Sequence, residues 1–262
     1  MIHFVGAGPG AADLITLRGA RLLKAADVVV YAGSLVNPEL LDMCKTGCEI
    51  HDSSAMTLEQ IVDVMVHASS AGLECVRLHT GDPALYGAHH EQMDALDARG
   101  IPYDVVPGVS SLFGATAALR AELTVPQVSQ SLVVTRVEGR TPMPEQEKLR
   151  DLASHGCTMA LFLSAGLLDR AQKELLAGGY EPSTPAAIVV RATWPDEQLY
   201  LCTVGTLYSC ALEHRVTKTA LVLVGRVLTT HGERSLLYDA AFGHGYRNAV
   251  PNHSAGGDAP CA

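Results

Sequence analysis

One pattern constrains this chain more than any other. A short apolar run that reads as a strand is followed by a turn of small residues, and then by apolar positions at helical spacing. Ile2-His3-Phe4-Val5 leads into Gly6-Ala7-Gly8-Pro9-Gly10, and Val28–Tyr31 into Gly33-Ser34. Cys75–Leu78 leads into Thr80-Gly81-Asp82-Pro83, and Tyr103–Val106 into Pro107-Gly108-Val109-Ser110-Ser111. Between these runs, Leu14, Leu17, Ala20 and Leu23 recur at helical spacing, with Thr16 placed to cap. Thr57-Leu58-Glu59-Gln60 reads as a capping box for a helix carrying Ile61, Val62, Met65 and Ala68 and ending at Gly72. His89–Arg99 reads as a helix closed by Gly100, and a small-residue helix follows Ser111 through Leu119.

The periodicity lapses over Leu123–Ser129 and then resumes. Strands are expected at Ser131–Thr135, Met159–Leu163, Ala186–Val190, Gln198–Val204 and Ala220–Val224. Helices are expected at Glu145–Ala153, at Leu167–Ala177 before Gly178-Gly179, and at Gly205–Leu212. The fold class is therefore α/β, with two α/β domains, 1–125 and 126–230, and a tail, 231–262, expected to be partly disordered, Asn252–Ala262 above all. Aromatics are scarce at 5%, which suits helices packed on a small-residue sheet.

A formal net charge of −9 argues against wholesale attraction to nucleic acid or an anionic membrane, so an acidic ligand needs a local basic cleft. No apolar run reaches membrane-spanning length, and Met1 leads directly into a strand with no signal-like segment, so a cytoplasmic location is expected. The cysteines at 44, 48, 75, 157, 202, 210 and 261 lack zinc-site spacing and read as reduced thiols, with no metal expected.

Gly6-Ala7-Gly8-Pro9-Gly10-Ala11 satisfies the dinucleotide-binding pattern G-x-G-x-x-[G/A] after a strand. Two details count against that reading. The second strand ends in Tyr31-Ala32-Gly33, with no acid to hold a ribose. Pro9 also removes an amide, and the helix waits for Thr16 rather than starting in the loop. The loop reads as a close-approach turn. The turn after Val76-Arg77-Leu78-His79 is the more promising site, because α/β proteins present ligand loops at the carboxyl ends of strands. Asp82, fixed between Gly81 and Pro83, suits an amine or a ribose hydroxyl, or else caps the following helix.

Taken together, Val5–Gly10, Ala26–Tyr31, Gly81-Asp82-Pro83-x-x-Tyr86-Gly87, Val106–Ser111 and Thr219–Gly225 closely resemble the tetrapyrrole methylase family over roughly Met1 to Val227. Tyr31–Val36, His51-Asp52-Ser53-Ser54-x-Met56-Thr57, Arg77–Pro83 and Arg191-x-Thr193-Trp194-Pro195-Asp196-Glu197 look like its branch acting at C11 of precorrin-4 or cobalt-precorrin-4, in the formation of vitamin B12. The resemblance implies a homodimer and S-adenosylmethionine (SAM) held in a cleft between the two domains. By position, Pro9, Gly81, Asp82, Pro83, Leu85 and Tyr86 would line that site on one side. Ser110, Ser111, Leu163, Ser164, Ala192, Thr219 and Ala220 would complete it, although many relatives carry Thr-Ala at 110–111.

A sulfonium methyl is already activated, so no metal or nucleophilic side chain is expected. Arg77, His79, Arg136, Arg140 and Arg191 are the candidates for holding a polycarboxylate tetrapyrrole, with His79 and Asp82 the candidates for a catalytic part. The alternatives are a sister methylase acting at another ring carbon or on a protein side chain, an NAD-type oxidoreductase, and a tetrapyrrole carrier.

Overall fold

A computed structural model of the chain describes residues 1–229 and 238–250. The expectation of disorder at Asn252–Ala262 lies outside the described residues. The first five strands are β1 (Ile2–Gly6), β2 (Val28–Tyr31), β3 (Glu49–Asp52), β4 (Cys75–His79) and β5 (Tyr103–Val106). They form one sheet in the order β3-β2-β4-β1-β5, with every pairing parallel. Val5 lies opposite Leu78 on one side and Val106 on the other, so β1, β4 and β5 finish level and their turns emerge together.

Alternate residues of this sheet feed opposite layers. Val5, Val29, Val76 and Leu78 pack with Leu23 of α1 (Leu17–Ala25), while Ile2, Phe4, Val28 and Val30 pack with Met65 of α2 (Leu58–Ser70) and Leu96 of α3 (His90–Asp97). Each such side chain, fully enclosed, contributes about 1.5–3 kcal/mol. The helix ends follow the sequence signals. Thr16 accepts a hydrogen bond from the Gly19 amide, and Thr57 and Gln60 complete a reciprocal capping box. Gly100 takes φ +64°, with the Ile101 amide donating back to the Leu96 carbonyl.

The second sheet is built differently. Its strands are β6 (Leu132–Arg136), β7 (Thr158–Phe162), β8 (Pro185–Val190), β9 (Gln198–Thr203) and β10 (Ala220–Val224), in the order β6-β7-β10-β8-β9. The β6–β7 pair is parallel, whereas β10 runs antiparallel to both β7 and β8, and β9 antiparallel to β8. One face packs Met159, Leu161, Ile188 and Val222 on α5 (Leu149–Ala153), α6 (Leu168–Ala177) and α7 (Leu207–Glu213). The other face packs Ala160, Val189, Leu221 and Leu223 against Leu112 and Ala115 of α4 (Ser111–Leu119). The helix that follows β5 thus covers the second sheet and brings the two sheets together.

One strand lies outside the expected elements, and two local expectations are corrected. The strand β3 carries no apolar run, since Glu49, Ile50 and Asp52 are exposed at a sheet edge. The helix expected over Glu145–Ala153 is divided at Lys148, whose extended backbone separates a 3-10 turn from α5. The helix expected from Gly205 is a 3-10 turn, Val204–Thr206, followed by α7.

Candidate functional site

The turns after β1, β4 and β5 meet backbone to backbone, and only glycine permits it. A Cβ on Gly6 would lie 2.5 Å from the Gly108 Cα and 2.7 Å from the Gly81 carbonyl oxygen. Gly8 and Gly81 exchange hydrogen bonds of 3.2 and 2.8 Å, with φ of +85° and +59°. Three of the loop amides are already engaged, since Ala7 donates to the His79 carbonyl, Gly8 to the Gly81 carbonyl and Ala11 to Thr193 Oγ1. With Pro9 lacking an N–H and α1 starting only at Leu17, this loop is a close-approach turn, not a phosphate cradle. Asp82 secures the same junction. Its Oδ1 accepts from the Ala84 amide and its Oδ2 from the Gly108 amide, each at 2.8 Å, so the carboxylate is a strut between the β4 and β5 turns.

Above this junction lies a cavity of about 390 Å³. Pro9, Gly81, Asp82, Leu85, Tyr86, Ser110 and Ser111 form one wall, and Leu163, Ala192, Thr219 and Ala220 stand in the other. The Tyr86 and Phe162 rings face each other with centroids 5.4 Å apart, one from each wall. Backbone strain collects here. Tyr86, Leu163, Arg191, Thr193 and Thr219 all take left-handed φ between 50° and 68°, a conformation costing roughly 1–3 kcal/mol each in non-glycine residues. Leu163 is left 66% exposed at the cavity, although it is a leucine. Strained, exposed apolar residues at one cavity are the mark of a ligand site.

Two residues expected at the cavity wall lie elsewhere. Pro83 is enclosed, with its carbonyl against Gly87, where a Cβ would come within 2.2 Å of that oxygen. Ser164 is wholly buried, donating to the Phe162 carbonyl and accepting from the Val137 amide, and so ties β7 to the end of β6.

The basic candidates divide. Arg191 lines the cavity. Arg77 does not, because every side chain of β4 is enclosed between helical layers. Its Nε donates to Gln92 Oε1 and its Nη1 to the Val30 carbonyl, and burial draws its pKa down to about 10. His79 is likewise buried, stacked on Phe4 and edge-on to His89. Burial, then the charges of Arg77 and His89, push its pKa down to about 3, and its Nε2 has no partner among the described residues. Neither side chain reaches the cavity, which corrects their assignment to substrate and the catalytic candidacy of His79. Arg136 donates to the Thr141 and Pro142 carbonyls, ordering the polar loop after β6. Its charge acts on Tyr86, opposing the upward shift that burial gives that phenol. Arg140 is exposed on the same loop and makes no ion pair among the described residues.

Sequence reasoning about site residues left out several that line the cavity, notably Leu35, Phe162, Trp194 and Lys218. Trp194 was within reach as the single tryptophan, in a strand-end loop beside Arg191. Lys218 adjoins Thr219 and was legible only by that adjacency.

Comparison with known proteins agrees with this architecture. The family model of the tetrapyrrole (corrin/porphyrin) methylases matches residues 1–208. A cobalt-precorrin-4 C(11)-methyltransferase of Methanocaldococcus jannaschii is 51% identical over 249 residues, 95% of this chain and 96% of the relative. A precorrin-4 C(11)-methyltransferase of Mycobacterium tuberculosis is 46% identical over 242 residues, 92% of this chain and 96% of the relative. Among solved structures, a cobalt precorrin-4 methyltransferase of cobalamin biosynthesis superposes with TM-score 0.86 and 46% identity, covering 87% of this chain and 96% of that one. A uroporphyrin-III C-methyltransferase of Thermus thermophilus, complexed with S-adenosylhomocysteine, gives TM-score 0.75 at 30% identity, covering 87% and 98%. With the family model matching from β1 through β9 and the relatives matched almost end to end, this chain belongs to the tetrapyrrole methylases.

Proposed function

We propose that this chain is a SAM-dependent C-methyltransferase acting at C11 of precorrin-4 or cobalt-precorrin-4, in the biosynthesis of cobalamin. The observation that carries this reading is the cavity between the two sheets, walled by small-residue turns and strained backbone rather than by a charged phosphate site. Such a wall fits a nucleoside with an amino-acid tail, which needs backbone donors and acceptors and apolar surface more than a counter-charge. Gly81, Asp82, Ser110, Ser111, Ala192, Thr219 and Ala220 are the residues we assign to holding SAM, together with Pro9, Leu85, Tyr86 and Leu163. When bound, SAM supplies a methyl group already activated on a sulfonium.

The protein's part is then orientation and exclusion of water, which can contribute roughly 7–11 kcal/mol. The sulfonium charge is lost in the transition state, so a free carboxylate beside it would favour the ground state. Asp82 is kept from that position by its two backbone amides, which commit it to the turn. An acidic substrate approaching a chain of net charge −9 requires local cations. Arg191 and Lys218 stand at the cavity, and Arg136 at the end of β6 and Arg140 on the loop after it are candidates for the outer part of the macrocycle. Among the described residues no helix is long and apolar enough to cross a membrane. A cytoplasmic homodimer, with lobes dividing near 125–126, completes the reading.

The test is incubation of purified protein with precorrin-4, with and without cobalt, and methyl-labelled SAM, the product being located by mass spectrometry and NMR. Label at C11 supports the reading. Label at another ring carbon makes the chain a sister methylase, and absence of transfer together with NADH binding overturns the assignment.

A further inference from the structure

The loop between β8 and β9 carries an assembly of side chains at the edge of the cavity. The Arg191 guanidinium lies over the Trp194 ring at 4.1 Å from its centroid, and its Nε donates to Asp196 Oδ1 at 2.6 Å. The two Nη amines make no hydrogen bond or ion pair among the described residues. Trp194 is itself fixed from the opposite sheet. Its indole N–H donates to the Pro9 carbonyl at 3.2 Å, and its ring lies where a Cβ on Gly10 would come within 2.2 Å. Thr193 is bound to the same glycine loop through the Ala11 amide. The glycine loop that resembles a dinucleotide site therefore serves, at Gly10, as the seat of an indole.

A guanidinium fork is planar, and its affinity for a carboxylate depends on presenting two N–H groups in one plane. A surface arginine must lose rotamer freedom to do so. Here stacking on the indole and the single Nε contact to Asp196 fix that plane in advance, and the Nη edge is left open beside the cavity. We propose that Arg191 is a pre-organised carboxylate clamp for one side-chain carboxylate of the macrocyclic substrate, with Trp194 and Asp196 as its positioning residues. The inference deepens the methyltransferase reading and rests on it. Both ligands of that reaction carry a carboxylate. Arg191 is one-third exposed, at 33%, which places the clamp toward the open side of the cavity and favours the macrocycle.

The experiment has two arms. In turnover, Trp194→Leu and Asp196→Asn each raise the KM for precorrin-4 about tenfold, the scale of one charge-assisted hydrogen bond. kcat stays within threefold and the Kd of S-adenosylhomocysteine within twofold, and Trp194→Phe, which keeps a ring beneath the guanidinium, recovers most of the loss. In binding, uroporphyrin is titrated against the emission of Trp194, the single tryptophan of the chain. Asp196→Asn and Arg191→Lys, which keep that reporter, bind it about tenfold more weakly than the unaltered protein. Unchanged KM and uroporphyrin affinity overturn the clamp, and so does a loss of S-adenosylhomocysteine affinity equal to or greater than the loss for the tetrapyrrole. A wild-type protein that binds uroporphyrin through Arg191 but transfers no methyl overturns the reaction and spares the carboxylate site.

Discussion

Replacing Gly108 with alanine tests how the cavity floor is made. The new methyl would lie 2.1 Å from the Gly81 carbonyl oxygen and 2.7 Å from the Gly6 Cα, against an ordinary carbon contact of about 3.5–4.0 Å. Both neighbours are backbone in other turns, so no side chain can rotate away. The Gly81 oxygen also holds the Gly8 amide, and the Gly108 amide holds Asp82, so separation of the turns disturbs both bonds. Overpacking usually costs about 1–3 kcal/mol, and immovable neighbours place this site at or above the upper end, about 3 kcal/mol. For a protein of this size that corresponds to a fall in Tm of roughly 6–12 °C. Gly47→Ala is the control, because Gly47 has φ +86° but nothing within 4 Å. It carries backbone strain alone, about 1–2 kcal/mol. Differential scanning calorimetry gives the Tm values and isothermal titration the affinity for S-adenosylhomocysteine, which falls in Gly108→Ala and not in Gly47→Ala. A Gly108→Ala protein melting within 2 °C of wild type would refute the interlocked turns.

Other outcomes follow from the positions of the charged groups. The unfolded chain protonates His79 near pH 6.5, and the folded chain only near about 3, so its contribution to stability is whole above pH 6.5 and declines as pH falls toward 3. The slope is about 1.4 kcal/mol per pH unit. Urea titrations at pH 7, 6 and 5 should show it, and His79→Leu should flatten it, while an unchanged slope in the variant rules His79 out as the cause. Arg77→Met should leave the KM for precorrin-4 within twofold and cost on the order of 1–3 kcal/mol of stability, because Gln92 Oε1 loses its donor. A fivefold rise in KM would restore Arg77 to the substrate site. Arg136→Ala and Arg140→Ala should weaken tetrapyrrole binding and spare S-adenosylhomocysteine, and equal loss of both affinities in titration would reject that assignment.

Much of this was legible in the sequence, for reasons that can be stated residue by residue. Strands buried on both faces, such as Val28–Tyr31 and Ala220–Val224, are continuous apolar runs that cannot be satisfied at a surface. Glu49–Asp52 escaped notice because an edge strand needs only one partner, and its side chains are free to be polar. The antiparallel pairing of β8 with β9 had a signal in the short Arg191–Glu197 connection, since a parallel return needs a crossover of a dozen residues or more. The turns that build the cavity were visible as clusters of small residues, and the glycine loop was separable from a phosphate site by Pro9 and the late helix start. Side-chain direction was not visible. Arg77 and His79 have the chemistry of substrate ligands, but β4 is covered on both sides. Ser164 has the chemistry of a ligand contact and spends it on Phe162 and Val137.

The most direct measurement is a crystal structure of the protein grown or soaked with S-adenosylhomocysteine. The nucleoside should lie in the cavity between the two sheets, against Gly81, Ser110, Ala192 and Thr219, with its sulfur facing the open side where Arg191 stands. A cavity left empty at saturating ligand, or one that instead takes a pyrophosphate dinucleotide across Gly6–Gly10, would contradict the central claim.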